Sequence, residues 1–322
     1  MIQSRVATVG FAKQSAKASL ETDPTFEIGV NSGTIASLDI TEEDLPISWN
    51  SRMIQGHDRT QATPGSTFET LAMPLSLGVL LQAAIGQDTI SGAGDPYSHL
   101  FEPIVALPYL SMFGRRNDEY YVLGDSRVSE LTLSWEKTGA LKVAVTTLGC
   151  TYEFDAGAPT PDAQELPQSG ILKGCSSTFE YAGAAATVTA GSITINNSVE
   201  AVFGSDSVLP ADVFPALHTV DVSLTIVPDD LNEFQRAATG TTSGSTVSCV
   251  PIYTTCDLSW SVEGNADRQL LFDCDRLKTM VAFPDVQSTG GPVELSVEGA
   301  IAEAATGTTY DFTLTNDQAT AY

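Results

Sequence analysis

The chain has 322 residues, of which 40 are acidic and 15 basic, giving a formal charge of −25 and a pI near 4.1. A surface that grips nucleic acid gains affinity from Lys and Arg that displace counterions, so this balance excludes such a function and disfavours an anionic membrane as partner. With 42% hydrophobic and 17% charged residues the chain can bury a core, and its length suits about two domains.

No apolar run of about eighteen residues is present that could cross a bilayer. Met1-Ile2-Gln3-Ser4-Arg5 opens without the apolar stretch of a signal peptide, so folding in a cytoplasm is expected. The five cysteines, Cys150, Cys175, Cys249, Cys256 and Cys274, are an odd number without CxxC spacing. Buried, reduced thiols are expected, with a Cys249–Cys256 bridge as the alternative.

In chain order, an N-terminal arm over about 1–24 precedes a strand at 34–40, because alternation with β-branched residues marks strands. Residues 41–69 read as a polar loop. A helix is predicted over 74–85: Leu75, Leu77, Val79, Leu80, Ala84 and Ile85 cover much of its surface, Pro74 suits its first turn and Gly86 can end it. Strands follow at 120–123, 127–135 and 141–148, the last two joined by a hairpin loop containing Gly139. Residues 156–175, with Pro159, Pro161 and Pro167, read as a linker or sheet edge. Beyond them come strands at 187–195 and 219–227, a helix over 229–238 begun by Asp229-Asp230, and strands at 257–262, 269–273 and 293–297. The protein is predicted to be mainly β.

An internal repeat is also legible. Thr25-Phe26-Glu27 matches Thr178-Phe179-Glu180, and Ser37-Leu38-Asp39-Ile40 matches Ser192-Ile193-Thr194-Ile195. Ala83-Ala84-Ile85-Gly86 matches Ala237-Ala238-Thr239-Gly240, Leu110-Ser111 matches Leu258-Ser259, Arg127-Val128 matches Arg276-Leu277, and Leu148-Gly149 matches Glu298-Gly299. The shifts stay within 148–155 and the order is kept, which predicts two tandem units, 1–155 and 176–322. One large sandwich with a long surface loop is the alternative.

Catalytic constellations are missing. His57, His99 and His218 lie far apart, and no GxSxG elbow or HExxH spacing occurs. His57 reads as solvated in a polar loop and His99 as closing a turn into a strand. The acidic groups Glu42-Glu43-Asp44, Asp229-Asp230 and Asp273-Cys274-Asp275 read as solvated faces, since none fits an EF-hand. Ser91-Gly92-Ala93-Gly94 lacks the GK[ST] ending of a phosphate loop. No enzyme, cofactor or metal site is expected.

The run His99-Leu100-Phe101, Leu107-Pro108-Tyr109-Leu110-Ser111, Tyr120-Tyr121-Val122-Leu123-Gly124, then 127–135 and 139–149, resembles the tail tube (major tail) proteins of long-tailed bacteriophages. The polar loop with Arg52 and Arg59, the helix ending at Gly86, and 181–200 with Ser192-Ile193-Thr194-Ile195-Asn196-Asn197 extend the resemblance over most of the chain. It implies two tandem tail-tube-like β-sandwich units, each with a short flanking α-helix. Their inner sheets would join into a ring-shaped β-barrel on oligomerisation. It further implies a structural virion protein whose rings stack into a hollow tube, with an acidic lumen that conducts DNA during ejection without specific binding.

Two units per chain imply a homotrimeric pseudo-hexamer, with a homohexamer as the alternative. The implied partners are further copies of the chain and other phage tail proteins such as tape measure, tail terminator and distal tail proteins. The implied location is the virion tail, assembled in the bacterial host cytoplasm. The loop 41–69, with Glu42, Glu43, Asp44, Arg52 and Arg59, is the expected contact between stacked rings, because oppositely charged groups suit reciprocal pairing. The rival reading is a tandem β-sandwich surface adhesin or carbohydrate-binding protein. Trp135 and Trp260, both in Leu-Ser-Trp strands, are expected in cores rather than on sugars.

Overall fold

A computed structural model describes residues 7–44, 56–154, 157–165, 170–174, 178–228, 232–263, 265–281, 294–303 and 309–322. Strands β1 (Ala7–Lys13), β2 (Phe26–Gly29), β3 (Ser32–Asp44) and β4 (His57–Leu71) precede helix α1 (Ser76–Ile85). Next come β5 (Gly86–Ser91), β6 (Tyr97–Pro103), β7 (Leu110–Arg116), β8 (Glu119–Glu136), β9 (Lys142–Leu148) and β10 (Thr151–Phe154). Short pieces β11 (Ala163–Gln164), β12 (Leu172–Lys173), β13 (Phe179–Tyr181) and β14 (Ala184–Ala185) lead to β15 (Thr187–Asn196). The hairpin of β16 (Glu200–Phe203) and β17 (Pro210–Phe214) is followed by β18 (Thr219–Val227) and helix α2 (Asn232–Thr239). The chain ends with β19 (Tyr253–Val262), β20 (Asn265–Val281), β21 (Leu295–Ile301) and β22 (Tyr310–Asn316).

Eight of these strands form one continuous antiparallel run, in the order β3, β4, β9, β8, β15, β18, β21, β20. The junction between its halves is the β8–β15 pairing, from Glu130 opposite Asn196 to Glu136 opposite Ala190. Two strands are long enough to serve two sheets. The first half of β8 leaves the run to pair with β7 and β10, next to β1 and β2. The first half of β20 likewise pairs with β19 and β22, and β22 continues to β6 and β5. One apolar cluster fills the space between, with Phe11, Phe26, Phe68, Leu131 and Val145 from the first half and Ile193, Leu224, Phe272 and Phe312 from the second.

Helix α1 is buried along its whole length, which its nearly all-round apolar sequence requires. It starts two residues after Pro74 and stops at Gly86, whose φ of 117° is one that residues with a Cβ rarely adopt. Its first turn is capped from a distance: the Leu75 and Ser76 N–H groups donate to Glu165 at 2.9 and 2.6 Å. Burial raises the Glu165 carboxyl, and those hydrogen bonds oppose the rise. Trp135 and Trp260 are both core residues, packed edge to face at 4.8 Å, with Phe179 against each.

Several sequence expectations need correction. The expected loop 41–69 is largely the hairpin β3–β4; its outer residues are polar on both faces, so no apolar alternation announced it. The expected arm 1–24 contains β1, held between β2 and β7 with Val9 and Phe11 buried. The strands expected at 120–123 and 127–135 are one strand, β8; it passes through Asp125 at φ 49° and carries a bulge near Ser129. His57 begins β4 rather than lying in a loop, and His99 lies inside β6, fully buried. The helix expected over 229–238 spans Asn232–Thr239, and the strand expected at 293–297 spans Leu295–Ile301. Asp229, Asp230 and Val293 lie outside the described residues.

Candidate functional site

Along each strand of the eight-stranded run, alternate residues face the core and the intervening ones face away. The outward row Thr67–Thr146–Glu130–Asn196–Thr219 crosses β4, β9, β8, β15 and β18 in register. The next row carries Glu69, Ala144, Thr132, Thr194, Asp221, Ala300 and Lys278. Hydroxyls and small side chains dominate, and the Thr132 and Thr194 hydroxyls bond to each other at 3.1 Å. Acids on this face include Asp39, Glu69, Glu130, Asp221 and Glu298. Lys142 and Lys278 stand among them, Lys142 3.8 Å from Glu69. The face is polar, and its acids outnumber its lysines.

Both ends of the run are open. Among the described residues β3 pairs with β4 alone, and the β20 residues after Lys278 pair with β21 alone. Apolar side chains stand at these edges: Ile40 on β3 is 38% exposed and Met280 on β20 is 64% exposed. Open edges with exposed apolar groups are a template for pairing with another chain.

The predicted contact residues sit on the outer β3–β4 hairpin. Glu42 accepts from Arg59 Nε at 3.2 Å, and Asp44 lies 2.8 Å from His57 Nδ1, so both pairs are made within the hairpin. Glu43 stands directly opposite Asp58, like charge against like. Arg52 lies outside the described residues.

Two arginine–tyrosine pairs stand out that the sequence reading did not single out. The Arg127 guanidinium lies 4.0 Å from the Tyr109 ring centre, and that of Arg276 lies 4.3 Å from the ring centre of Tyr253. The first pair is covered by β17. Arg127 donates to the Val213 carbonyl at 2.7 Å, Tyr109 donates to Asp212 at 2.9 Å, and Lys17 pairs with Asp212 at 2.9 Å. Burial pushes the Asp212 carboxyl up, but hydrogen bonds from Lys17, the Val213 N–H and Tyr109 outweigh it and hold it below the ordinary range. The second pair is open, with Tyr253 39% exposed and Arg276 donating to the Glu303 carbonyl. The Arg127 and Arg276 signal was present in the repeat, but their tyrosines lie at unequal spacings before them, which only the fold reveals.

His218 and His99 both have structural partners. Asn197 Nδ2 donates to the Ala84 and Val128 carbonyls, which leaves its Oδ1 to accept from His218 Nδ1 at 2.6 Å; His218 Nε2 then accepts from the Tyr310 hydroxyl at 2.7 Å. This neutral His218 agrees with a pKa lowered by burial. His99 lies between Asp88 and the Gln318 carbonyl, in the core. Among the described residues no cluster of His, Cys, Asp or Glu has the geometry to hold a metal ion. Cys150, Cys256 and Cys274 are free and buried, whereas Cys249 is free but exposed rather than buried as expected, so the alternative Cys249–Cys256 bridge is not formed; Cys175 lies outside the described residues.

A comparison with curated proteins returns no match. A protein-family model described as phage tail tube protein matches residues 4–318.

Proposed function

The chain belongs to the phage tail tube protein family, and from that premise we propose that three copies close the eight-stranded run into one ring. Membership of the family makes it a structural protein of the phage tail that assembles with itself, and its place is the virion tail. What carries the ring reading is the strand order. In the first four strands, β3, β4, β9, β8, and in the last four, β15, β18, β21, β20, spatial order follows chain order as first, second, fourth, third. A helix follows the second strand of each set, and the fourth place goes to the long strand that also serves another sheet. This supports two tandem sandwich-like units in one chain.

Because the last unit of one chain offers an open β20 and the first unit of the next an open β3, the β8–β15 junction can be repeated between chains. Three chains then give about 24 strands, and at ~4.8 Å spacing with a tilt near 40° the barrel is roughly 48 Å across. Closure removes both open edges. The polar face becomes the lumen wall, where acids repel phosphates and let DNA slide without being held. The β3–β4 hairpin, with Glu42, Glu43, Asp44 and Arg59, reaches toward stacked rings; tape measure, tail terminator and distal tail proteins meet the ends of the tube, which is built in the host cytoplasm.

Negative-stain microscopy with mass measurement of single rings tests this reading. Rings or tubes with a central hole, and a ring mass of three chains, are expected. Monomers at high concentration overturn the ring, and a six-chain ring overturns the count.

A further inference from the structure

The buried Arg127–Tyr109 pair is covered by an arm of its own chain, the segment between β15 and β18. That arm supplies a carboxylate, Asp212, to the tyrosine hydroxyl and a carbonyl, that of Val213, to the arginine. Its fit is close: Val213 is fully buried, packed with Cys150 and Val199. The second pair, Arg276–Tyr253, stands in the same relation to its strands. Tyr109 lies immediately before β7, the neighbour of β8, and Tyr253 opens β19, the neighbour of β20. Yet nothing among the described residues covers this pair as β17 covers the first.

The chain carries a second arm, formed by the outer ends of β3 and β4, in the place in the first unit that the β16–β17 arm holds in the second. The strand registers align the two arms. Arg127 lies opposite Leu148, and Leu148 opposite Gly65. In the second unit Ala302 N–H donates to the Arg276 carbonyl, and continuing the β18–β21 register by two residues from Asp221–Ala300 brings Thr219 opposite Ala302. Gly65 and Thr219 are therefore counterparts. Asp58 precedes the one by the same seven residues by which Asp212 precedes the other.

The charges also match. Asp58 faces Glu43 across its own hairpin, a like-charge pair that destabilises the arm unless a cation comes to it. Arg276 is such a cation, held over a ring that is open to solvent. We propose that the Arg276–Tyr253 pair is the seat for the β3–β4 arm of a second copy of this chain, with Asp58 in the place that Asp212 takes on the buried pair. The inference rests on the ring reading and adds a contact to it: each junction is clasped by an arm, within the chain by β16–β17 and between chains by β3–β4.

The test uses the full chain with Asp58→Arg, Arg276→Asp and the double exchange, read by sedimentation and negative stain. Each single variant should lose at least about tenfold in assembled fraction, and the double exchange should regain most of it. Thermal melting of the unassembled chain checks that the variants fold. Because Arg276→Asp also removes the bond to Glu303, a second measurement pairs Asp58→Cys with Tyr253→Cys in a Cys249→Ser background. Oxidation of assembled rings should then give covalent species of two and three chains. Unaltered assembly of either single variant, or assembled rings without cross-links, overturns the seat while leaving the ring reading intact; a wild-type chain that forms no ring overturns the ring reading itself.

Discussion

The ring of Tyr322 fills the space that a side chain at position 78 would need, so that a Cβ on Gly78 would overlap it. Tyr322 is clasped from several sides. Asn316 Nδ2 donates to its hydroxyl at 2.7 Å, its N–H donates to Asp88 at 2.8 Å, and its ring lies 4.8 Å from His99. The last residues thereby lock α1 against β6 and β22.

Gly78→Ala should therefore cost about 1–3 kcal/mol, because a well-packed core does not yield to an added methyl. The check is chemical denaturation in a double-mutant cycle with Tyr322→Ala. In the Tyr322→Ala background the added methyl should cost close to nothing, and equal costs in both backgrounds would count against the overlap.

A pH effect follows from a row of carboxylates across β13, β19, β20 and β22. Glu180, Asp257, Asp273 and Asp311 stand opposite one another in register, with Asp275 and Glu102 also nearby in the field. Burial, and after it the Asp273 charge, pushes Asp257 up to about 6; the same two causes push Asp311 up to about 6. Between the ordinary carboxylate range and about pH 6 the folded chain thus binds protons that the unfolded chain does not. Stability from these two groups rises as pH falls through 6 and levels off below the unfolded values. Tm of the unassembled chain should be higher at pH 5 than at pH 7.5, and the gap should shrink in Asp257→Asn/Asp311→Asn.

Thiol reactivity should separate the cysteines. Cys150 is pushed up to about 11 and Cys274 to about 12, both chiefly by burial, and Cys256 is raised by the same cause, whereas Cys249 is exposed. Iodoacetamide at neutral pH should label Cys249 in the folded chain within minutes and spare Cys150, Cys256 and Cys274 until denaturant is added. Peptide mapping by mass spectrometry reads this directly.

The polar face makes a charge prediction. Glu130→Lys with Asp221→Lys changes two outward side chains without touching the core face, so tubes should still form. Such tubes should retain short duplex DNA at low salt and release it as salt rises, whereas wild-type tubes retain none. Equal DNA retention by both would overturn this face as the channel wall.

Much of the architecture was legible because strand periodicity is local. The apolar alternation around Leu131, Leu133 and Trp135, and around Ile193 and Ile195, marks half-buried strands whatever lies beside them. The outer β3–β4 hairpin was not legible, since residues exposed on both faces carry no apolar rhythm. Neither was the buried side of Glu165, a carboxylate in a Pro-rich stretch whose helix partner lies 89 residues earlier. Of the residues expected at the contact between stacked rings, Glu42 and Arg59 were singled out by sign alone, and the fold pairs them with each other within one hairpin.

The sequence by itself determined the mainly-β character, the acidic balance and the repeated order of short matches, because composition and periodicity need no partner. Tertiary structure alone decided which strands share a sheet, which acids face outward, and that Arg127 is covered while Arg276 is open. Those depend on register and on contacts across long stretches of chain, where a shift of one residue turns every side chain to the other face.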